Sequence, residues 1–481
     1  MSPTSIEFIL FSLVCWVTFM AVRGMHLRSI AIAVFNCVLI GSFAETISDV
    51  LPLIVFLSIG YLFINIMLVC QSAVFFWASV IVLLASFSYL KQYAFIEFIP
   101  SLDFPYIEIG LSYILFRVLH LFVDVHQRAI TQPIRLLEYF NYTCFFLSFL
   151  SGPIQRYQDF QRDVLAQGIM QELKEAAADN INRILIGFIK VLVLASALNA
   201  FMEARSVENV VNYYSHDFFT ILIWYSAQSL AYAFFVYFNF SGYMDIVIGI
   251  GRLLGFKLPE NFDRPFAAEN YLDFWQRWHM TLSEWFKTYV FNPLVKKLYD
   301  STGQQPKRMP LLGVIGYFVT FFFVGVWHVP TMGLGIALGL GVSVNKLYEA
   351  YMRSKLGATK YKLLRSNLIY RYASRGLTIS YFCISVTYMW ISPENLAQLT
   401  GFRGMLLVMA ISCVCLALLL SLSTFIWDAI VPRMWRPIQV FYSSNPPLIV
   451  TASINSIVVF GMIYWVVTFS HRAPEFIYQG F

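Results

Sequence analysis

Two histidines stand in segments where an imidazole could do chemistry. His279 lies within WQRWHMTLSEW, residues 275–285, and His328 closes the apolar run FFFVGVWH. An imidazole in a cavity can take a proton from a hydroxyl group and return it to a leaving group near neutral pH. A histidine in an apolar run can equally be a packed, hydrogen-bonded residue, and spacing alone leaves both interpretations of His328 open.

The segment around His279 has the spacing of an amphipathic helix with an aromatic face. Four large apolar residues recur in it at helical intervals: Trp275, Trp278, Leu282 and Trp285. Tryptophan is common at membrane interfaces, so this pattern alone favours packing over catalysis for His279. Arg277 is expected to point away from the aromatic face, toward lipid headgroups or an anionic ligand. Ser283 would be a nucleophile only beside a base.

Other polar residues also interrupt apolar runs. His120 and Asp124 lie one helical turn apart in RVLHLFVDVHQR, a spacing that suits a hydrogen bond or half of a metal site. We favour a structural contact. Asn239, Ser241 and Asp245 lie in a hydrophobic segment whose glycines permit close helix packing. The seven cysteines have no metal-ligand spacing and are interpreted as packed thiols.

The chain as a whole is far more apolar than a soluble protein. Of its 481 residues, 59% are hydrophobic and 12% are charged, and its mean hydropathy is +0.66. A soluble domain carries roughly 25% charged residues. We therefore predict an all-α polytopic membrane protein of about 11–13 helices, embedded in a lipid bilayer. Its basic residues form no nucleic-acid-type patch, so no nucleic-acid partner is expected. The first apolar run is expected to be a retained helix rather than a signal peptide.

The predicted membrane spans follow the apolar runs: 6–22, 28–44, 51–70, 73–90, 107–123, 183–203, 218–250, 311–328, 332–345, 376–392, 405–426 and 447–469. Segment 218–250 is too long for one simple crossing, and a tilted helix, two shorter helices and a broken helix all remain open. Residues 141–153 are apolar but too short to span, which indicates a re-entrant or partly buried helix. Residues 154–182 are predicted to form helices on the membrane surface.

The distribution of basic residues orients these elements. Loops 251–310 and 346–375 are rich in Lys and Arg, so the positive-inside rule places both in the cytoplasm. Residues 311–345 must then leave the cytoplasm and return as a hairpin, with its turn at Pro330. His328 is therefore expected near the extracytoplasmic side and His279 on the cytoplasmic side.

Four blocks of the sequence resemble a single family. They are GLSYILFRVLHLFVDVH (110–126), FLSGPIQRYQDF (149–160), the long block from FSGYMD to FNPL (240–294) and VGVWHVPT (324–331). They resemble the membrane-bound O-acyltransferases, the MBOAT family, and in particular the bacterial branch of alginate and other exopolysaccharide O-acetylation. The resemblance runs from about residue 105 to 345. It implies one membrane domain over 1–481, with N-terminal helices in 1–104, the motif core in 105–345 and C-terminal helices in 346–481.

The resemblance also implies an architecture and a site. The family's helices form a ring around a central tunnel, with an extracytoplasmic funnel and a cytoplasmic cleft. His328 matches the invariant family histidine, implied to be the general base toward the acceptor hydroxyl. His279 matches a second histidine, implied to position or activate the donor or to relay the acyl group. The other residues expected at the substrate are Trp275, Arg277, Trp278, Ser283, Trp327, Asn239 and Asp245. The sequence departs from the family pattern at Lys287 and Thr288, at Val329 and Pro330, and at Asn239.

The function that the resemblance implies is acyl transfer across a bacterial inner membrane. An acyl group, expected to be acetyl, passes from a cytoplasmic thioester such as acetyl-CoA to a hydroxyl for O-acetylation of a secreted polysaccharide. The donor is a substrate, and no bound cofactor or metal is expected. A periplasmic acetyltransferase and polysaccharide synthase or secretion proteins are the implied partners. Two alternatives remain, namely an acyltransferase for a cell-wall polymer or a lipid, and a non-catalytic transporter or scaffold.

Overall fold

The computed structural model describes residues 6–22, 24–44, 46–91, 110–165, 177–205, 217–329, 332–443 and 461, and most of them are helical. The α-helices in chain order are α1 Ile6–Ala21, α2 Met25–Gly41, α3 Ile47–Val69, α4 Ala73–Leu90, α5 Leu111–His126, α6 Leu136–Thr143, α7 Tyr157–Leu165, α8 Ala177–Ile189, α9 Ser196–Glu203, α10 Phe218–Leu253, α11 Tyr271–Trp275, α12 Met280–Phe286, α13 Asn292–Ser301, α14 Met309–His328, α15 Met332–Ser366, α16 Leu368–Ser385 and α17 Pro393–Ser443. A π-helical segment, Lys190–Ala195, joins α8 to α9, and a second, Lys287–Phe291, joins α12 to α13.

Within these residues, six segments are long and apolar enough to cross a membrane. They are Ser48–Val69, Ala73–Leu90, Ala177–Glu203, Phe218–Leu253, Pro306–His328 and Pro393–Arg433. The predicted class, an all-α polytopic membrane protein, is confirmed. The ring and the tunnel stay predictions. The predicted span 447–469, the turn at Pro330 and the first residues of span 107–123 lie outside the described residues.

The long apolar segment 218–250 forms one continuous helix, α10. Its glycines allow a neighbouring helix to approach rather than breaking the segment. A Cβ atom added to Gly187 of α8 would lie 2.6 Å from the carbonyl oxygen of Gly242. Since the helix is 36 residues long, it exceeds the ~20 residues that a perpendicular crossing needs.

The prediction of a loop over 346–375 is wrong. Helix α15 continues to Ser366, and α16 begins at Leu368. Glu349 pairs with Lys346 at 3.5 Å and with Arg353 at 2.6 Å, and such pairs three and four residues apart support a charged helix. The basic residues indicated a segment outside the membrane, but they do not disfavour helical structure.

Residues 141–153 are buried as predicted, but the helix there ends at Thr143 and irregular chain follows. The fully buried guanidinium of Arg117 donates to the carbonyl oxygens of Tyr142 at 3.2 Å, Thr143 at 3.0 Å and Ser148 at 2.9 Å. The side chain of Asn36 accepts the backbone N–H of Phe146 at 2.8 Å. Irregular backbone can lie among apolar neighbours only when its polar groups are paired, and these side chains supply the pairing.

The described residues form two compact units. One contains the residues up to 188 together with 240–261, and the other contains 189–239 and 262–443. In the second unit, α14 packs against α15 as the predicted hairpin. A Cβ atom at Gly325 of α14 would lie 2.4 Å from the Cα atom of Gly335 of α15. The two backbones are therefore in direct contact one turn before α14 ends.

Candidate active site

His279 lies at a break between two short helices. α11 ends at Trp275, α12 begins at Met280, and His279 caps α12 with left-handed angles of φ 45° and ψ 52°. The prediction of a single helix over 275–285 is therefore wrong at its centre. A left-handed conformation costs a non-glycine residue roughly 1–2 kcal/mol. Such strain persists only where the surrounding structure holds it.

The residues before His279 pair with the chain that follows α10. Phe262 and Trp278 form an isolated antiparallel bridge, and the Asp263 N–H donates to the Arg277 carbonyl oxygen at 3.0 Å. The Trp278 ring packs 4.7 Å from Phe382, between centroids. Because the Arg277 carbonyl bonds outside its own helix, α11 does not run on into α12.

His328 reaches the same site from another element. It is the last residue of α14 and is 7% exposed, whereas His279 is 0% exposed. The centroids of the two imidazole rings lie 6.4 Å apart, with an angle of 56° between the ring planes. The Trp327 ring lies 4.5 Å from His328, between centroids. Two histidines in separate sequence blocks thus meet in one buried site within the second unit.

Burial decides the charge state of His279. Removal from water lowers the pKa of His279 well below its ordinary value of 6.5, and the neighbouring His328 lowers it further. At neutral pH the His279 ring is therefore uncharged. An uncharged imidazole keeps a lone pair that can accept a hydrogen bond or a proton.

The other expected site residues near His279 have structural partners. Trp275 is 5% exposed and its ring lies 5.0 Å from Phe321 of α14. The Ser283 hydroxyl donates to the Trp278 carbonyl oxygen at 3.4 Å, one turn away in the chain. Arg277 pairs with two carboxylates, Asp273 and Asp263. The two tryptophans, Trp275 and Trp278, form part of the packing around the histidines.

Asn239 and Asp245 lie on α10, in different units. Asn239 is fully buried in the second unit. Asp245 belongs to the first, where Arg183 donates to its carboxylate at 2.9 Å. The Arg183 guanidinium also reaches Glu260, at 2.6 Å. Asp245 therefore links α10, α8 and the following loop within the first unit.

His120 and Asp124 form the structural contact that we favoured. His120 Nε2 accepts the backbone N–H of Tyr157 at 3.2 Å and lies 3.5 Å from Asp124 Oδ2. Asp124 in turn accepts the Gln158 side-chain amide at 2.7 Å. The pair thereby joins α5 to the start of α7.

Sequence reasoning did not find the partners of Arg277. Asp273 lies one helical turn before Arg277, and this spacing is a readable signal for an ion pair. Asp263 lies in a separate segment, and only the bridge between Phe262 and Trp278 brings it near. No local pattern could have indicated the second contact.

A helical membrane protein with two buried histidines facing one another defines the class to which the fold and site belong. The family model of MBOAT, the membrane-bound O-acyltransferase family, matches residues 62–389. The chain belongs to this family, and the predicted assignment to the MBOAT acyltransferases is confirmed.

Three curated relatives show the range of polymers that appear in their names. The chain is 30% identical over 262 residues to "Teichoic acid D-alanyltransferase" of Bacillus subtilis, covering 54% of this chain and 62% of the relative. It is 26% identical over 312 residues to "Probable alginate O-acetylase AlgI" of Pseudomonas aeruginosa, covering 63% and 56%. It is 28% identical over 279 residues to "Peptidoglycan O-acetyltransferase" of Helicobacter pylori, covering 56% and 46%. The matches thus span less than two thirds of the length of each of these relatives.

Proposed function

We propose that this protein transfers an acyl group from a thioester donor to a hydroxyl acceptor on a cell-envelope polymer. The observation that carries the proposal is the buried pair His279 and His328, with ring centroids 6.4 Å apart, in a chain of the MBOAT family. Reacting groups approach within about 3–3.5 Å of their catalytic partners. One acyl carbon with its attacking hydroxyl is therefore of a size to contact both rings.

In the proposed reaction His328 is the general base. It takes the proton of the acceptor hydroxyl as that oxygen attacks the thioester carbonyl carbon, and the C–S bond breaks. The proton then passes to the departing thiolate. His279, uncharged through its burial, positions or activates the thioester or relays the acyl group. A thioester is already a good acyl donor, so alignment and proton transfer are the main requirements.

The substrate assignment extends the proposal. We take acetyl-CoA in the cytoplasm as the donor and a secreted polysaccharide as the acceptor, because two of the relatives are named for O-acetylation. Transfer would proceed directly or through a periplasmic acetyltransferase, beside polysaccharide synthase and secretion proteins, at a bacterial inner membrane. Trp275, Arg277, Trp278, Ser283 and Trp327 belong to the site in this proposal. Asn239 and Asp245 belong to it as well, and 1–481 is one membrane domain.

A second candidate is D-alanyl transfer to a cell-wall polymer, in keeping with the name of the Bacillus subtilis relative. The two acyl groups differ in charge, because a D-alanyl ester carries an ammonium group and an acetyl ester is neutral.

Labelled donors test both candidates. Membranes containing the full chain are incubated with radiolabelled acetyl-CoA or a radiolabelled D-alanyl thioester, and the label retained by envelope polymers is measured against membranes without the chain. Label from acetyl-CoA supports O-acetylation, and label from the alanyl donor alone supports the second candidate. Absence of label from both donors would contradict the proposed acyl transfer and favour the transporter or scaffold.

A further inference from the structure

We infer that Arg277 is a positioning residue that holds His279 in its strained conformation by joining Asp273 to Asp263. The inference rests on the proposed function, because it assigns His279 a role in acyl transfer. It also changes the expected role of Arg277, which the sequence placed toward headgroups or an anionic ligand.

The contacts of Arg277 come from both sides of the break in the helix. Its Nε donates to Asp273 Oδ1 at 2.8 Å, and its NH1 lies 3.6 Å from Asp263 Oδ2. Its backbone carbonyl oxygen accepts the Asp263 N–H at 3.0 Å. Arg277 therefore joins α11 to the segment after α10 through its side chain and its main chain together.

Asp273 is itself fixed by the backbone. Its Oδ2 accepts the Glu269 N–H at 3.0 Å, and its own N–H donates to the side chain of Asn270 at 2.9 Å. The carboxylate thus has one oxygen for the chain and one for Arg277. This arrangement gives the guanidinium a rigid partner.

His279 needs such support because its backbone is left-handed. One isolated bridge, between Phe262 and Trp278, is all the strand pairing that the described residues provide there. Arg277 and Trp278 are the two residues that precede His279. Loosening of this bridge would let His279 relax toward right-handed angles and turn its imidazole away from His328.

The charges around Arg277 disfavour the alternative of an anion site. Arg277 faces two carboxylates, and one of them, Asp263, is shared with Arg264 at 3.4 Å. The positive charges are thereby matched by negative ones. An incoming anion would have to displace a carboxylate that is already paired.

The test separates positioning from donor binding by kinetics. Full-length Arg277→Gln, Asp273→Asn and the double variant are assayed in membranes with radiolabelled acetyl-CoA, or with the D-alanyl thioester if that is the active donor. We expect kcat to fall by on the order of a hundredfold, the effect of misplacement by about 1 Å, with KM for the donor nearly unchanged. The double variant should lose no more than the larger single loss, because both changes break one link.

Controls keep the outcome interpretable. Arg264→Gln removes an arginine that pairs with the same Asp263, but its side chain is 83% exposed, and its kcat should stay within about twofold of the parent. Asp273→Glu keeps the charge and should recover part of the loss. Rates are expressed per folded protein, measured by thermal unfolding in detergent.

Three outcomes would overturn the inference. A raised KM with parental kcat in Arg277→Gln would make Arg277 a donor-binding residue. Additive losses in the double variant would mean that the two residues act separately. Parental kcat per folded protein in both single variants would leave Arg277 with a purely structural role. If His279→Asn is itself fully active, the proposed function of His279 fails instead, and this result is distinct from the other three.

Discussion

The imidazoles of His279 and His328 lie 6.4 Å apart although their backbones are held in opposite ways. His328 ends a helix of 20 residues in ordinary geometry, whereas His279 is a left-handed residue between two short helices. One histidine is thus placed by a long regular element and the other by local side-chain contacts. Substitutions around them should have different consequences.

Removal of the His328 imidazole should stop acyl transfer. His328→Ala is expected to lower kcat by about 10²–10⁴-fold, the usual contribution of general acid–base catalysis. Membrane insertion should be unchanged, since α14 keeps its apolar sequence. His26→Ala is the matched control, because His26 is exposed on α2. Parental rates in His328→Ala membranes would refute the assignment of the base.

Substitution of His279 should separate stability from activity. Asparagine and glycine adopt left-handed angles more readily than other residues. His279→Asn and His279→Gly are therefore expected to unfold at a temperature equal to or above that of the parent, while transfer is lost. Thermal unfolding in detergent and label transfer are measured on the same preparations. Full activity in His279→Asn would return this histidine to a packing role.

The lowered pKa of His279 should make the fold weaker in acid. The unfolded chain binds a proton at this site as the pH falls below about 6.5, whereas the folded protein does not until the pH is much lower. His279 therefore contributes a loss of stability that grows from about pH 6.5 downward. Unfolding temperatures at about pH 7.5 and pH 5.5 should differ less in His279→Asn than in the parent. An equal difference in both proteins would contradict the assigned pKa.

Arg117 should be essential to the stability of the first unit. Its guanidinium donates to three backbone carbonyl oxygens, of Tyr142, Thr143 and Ser148. A buried acceptor left without a partner costs about 1–3 kcal/mol, so Arg117→Met should destabilise by several kcal/mol. The change is measured as the shift in thermal unfolding. Arg162→Met is the control, because the Arg162 side chain is 77% exposed. Equal shifts in both variants would argue against the proposed support.

The tryptophans around His279 should tolerate an aromatic replacement better than a polar one. Trp275 is 5% exposed and packs on Phe321. Truncation of a buried tryptophan costs about 3–5 kcal/mol, so Trp275→Ser should be far less stable than Trp275→Phe. Protein yield and unfolding temperature are compared for the two. Equal tolerance would exclude a buried role for this side chain.

The apolar pattern was sufficient to predict the class of fold and most helix positions. The span 73–90 coincides with α4, because composition directly reports the residues that face hydrocarbon. The basic segment 346–375 was misjudged, because charge indicates position relative to the membrane but leaves helix formation open. Residues 144–153 also escaped prediction as irregular chain. Their polar groups depend on Arg117, which is distant in sequence.

The site was predicted in its residues but not in its geometry. The family pattern selected His279 and His328, and the structure places their rings side by side. The helical spacing of Trp275, Trp278 and Leu282 masked the break at His279. A backbone bridge to Phe262 determines this break, and no residue within the segment encodes that partner.

The contact between Gly325 and Gly335 has a consequence for how the protein can vary. The backbones touch directly, with no side chain between them, and Gly325 lies three residues before His328. A mismatch at this crossing cannot be absorbed by a change of rotamer. Homologous proteins that accommodate different acyl groups or acceptors would therefore have to adjust on the His279 side of the pair, where the geometry depends on replaceable side chains.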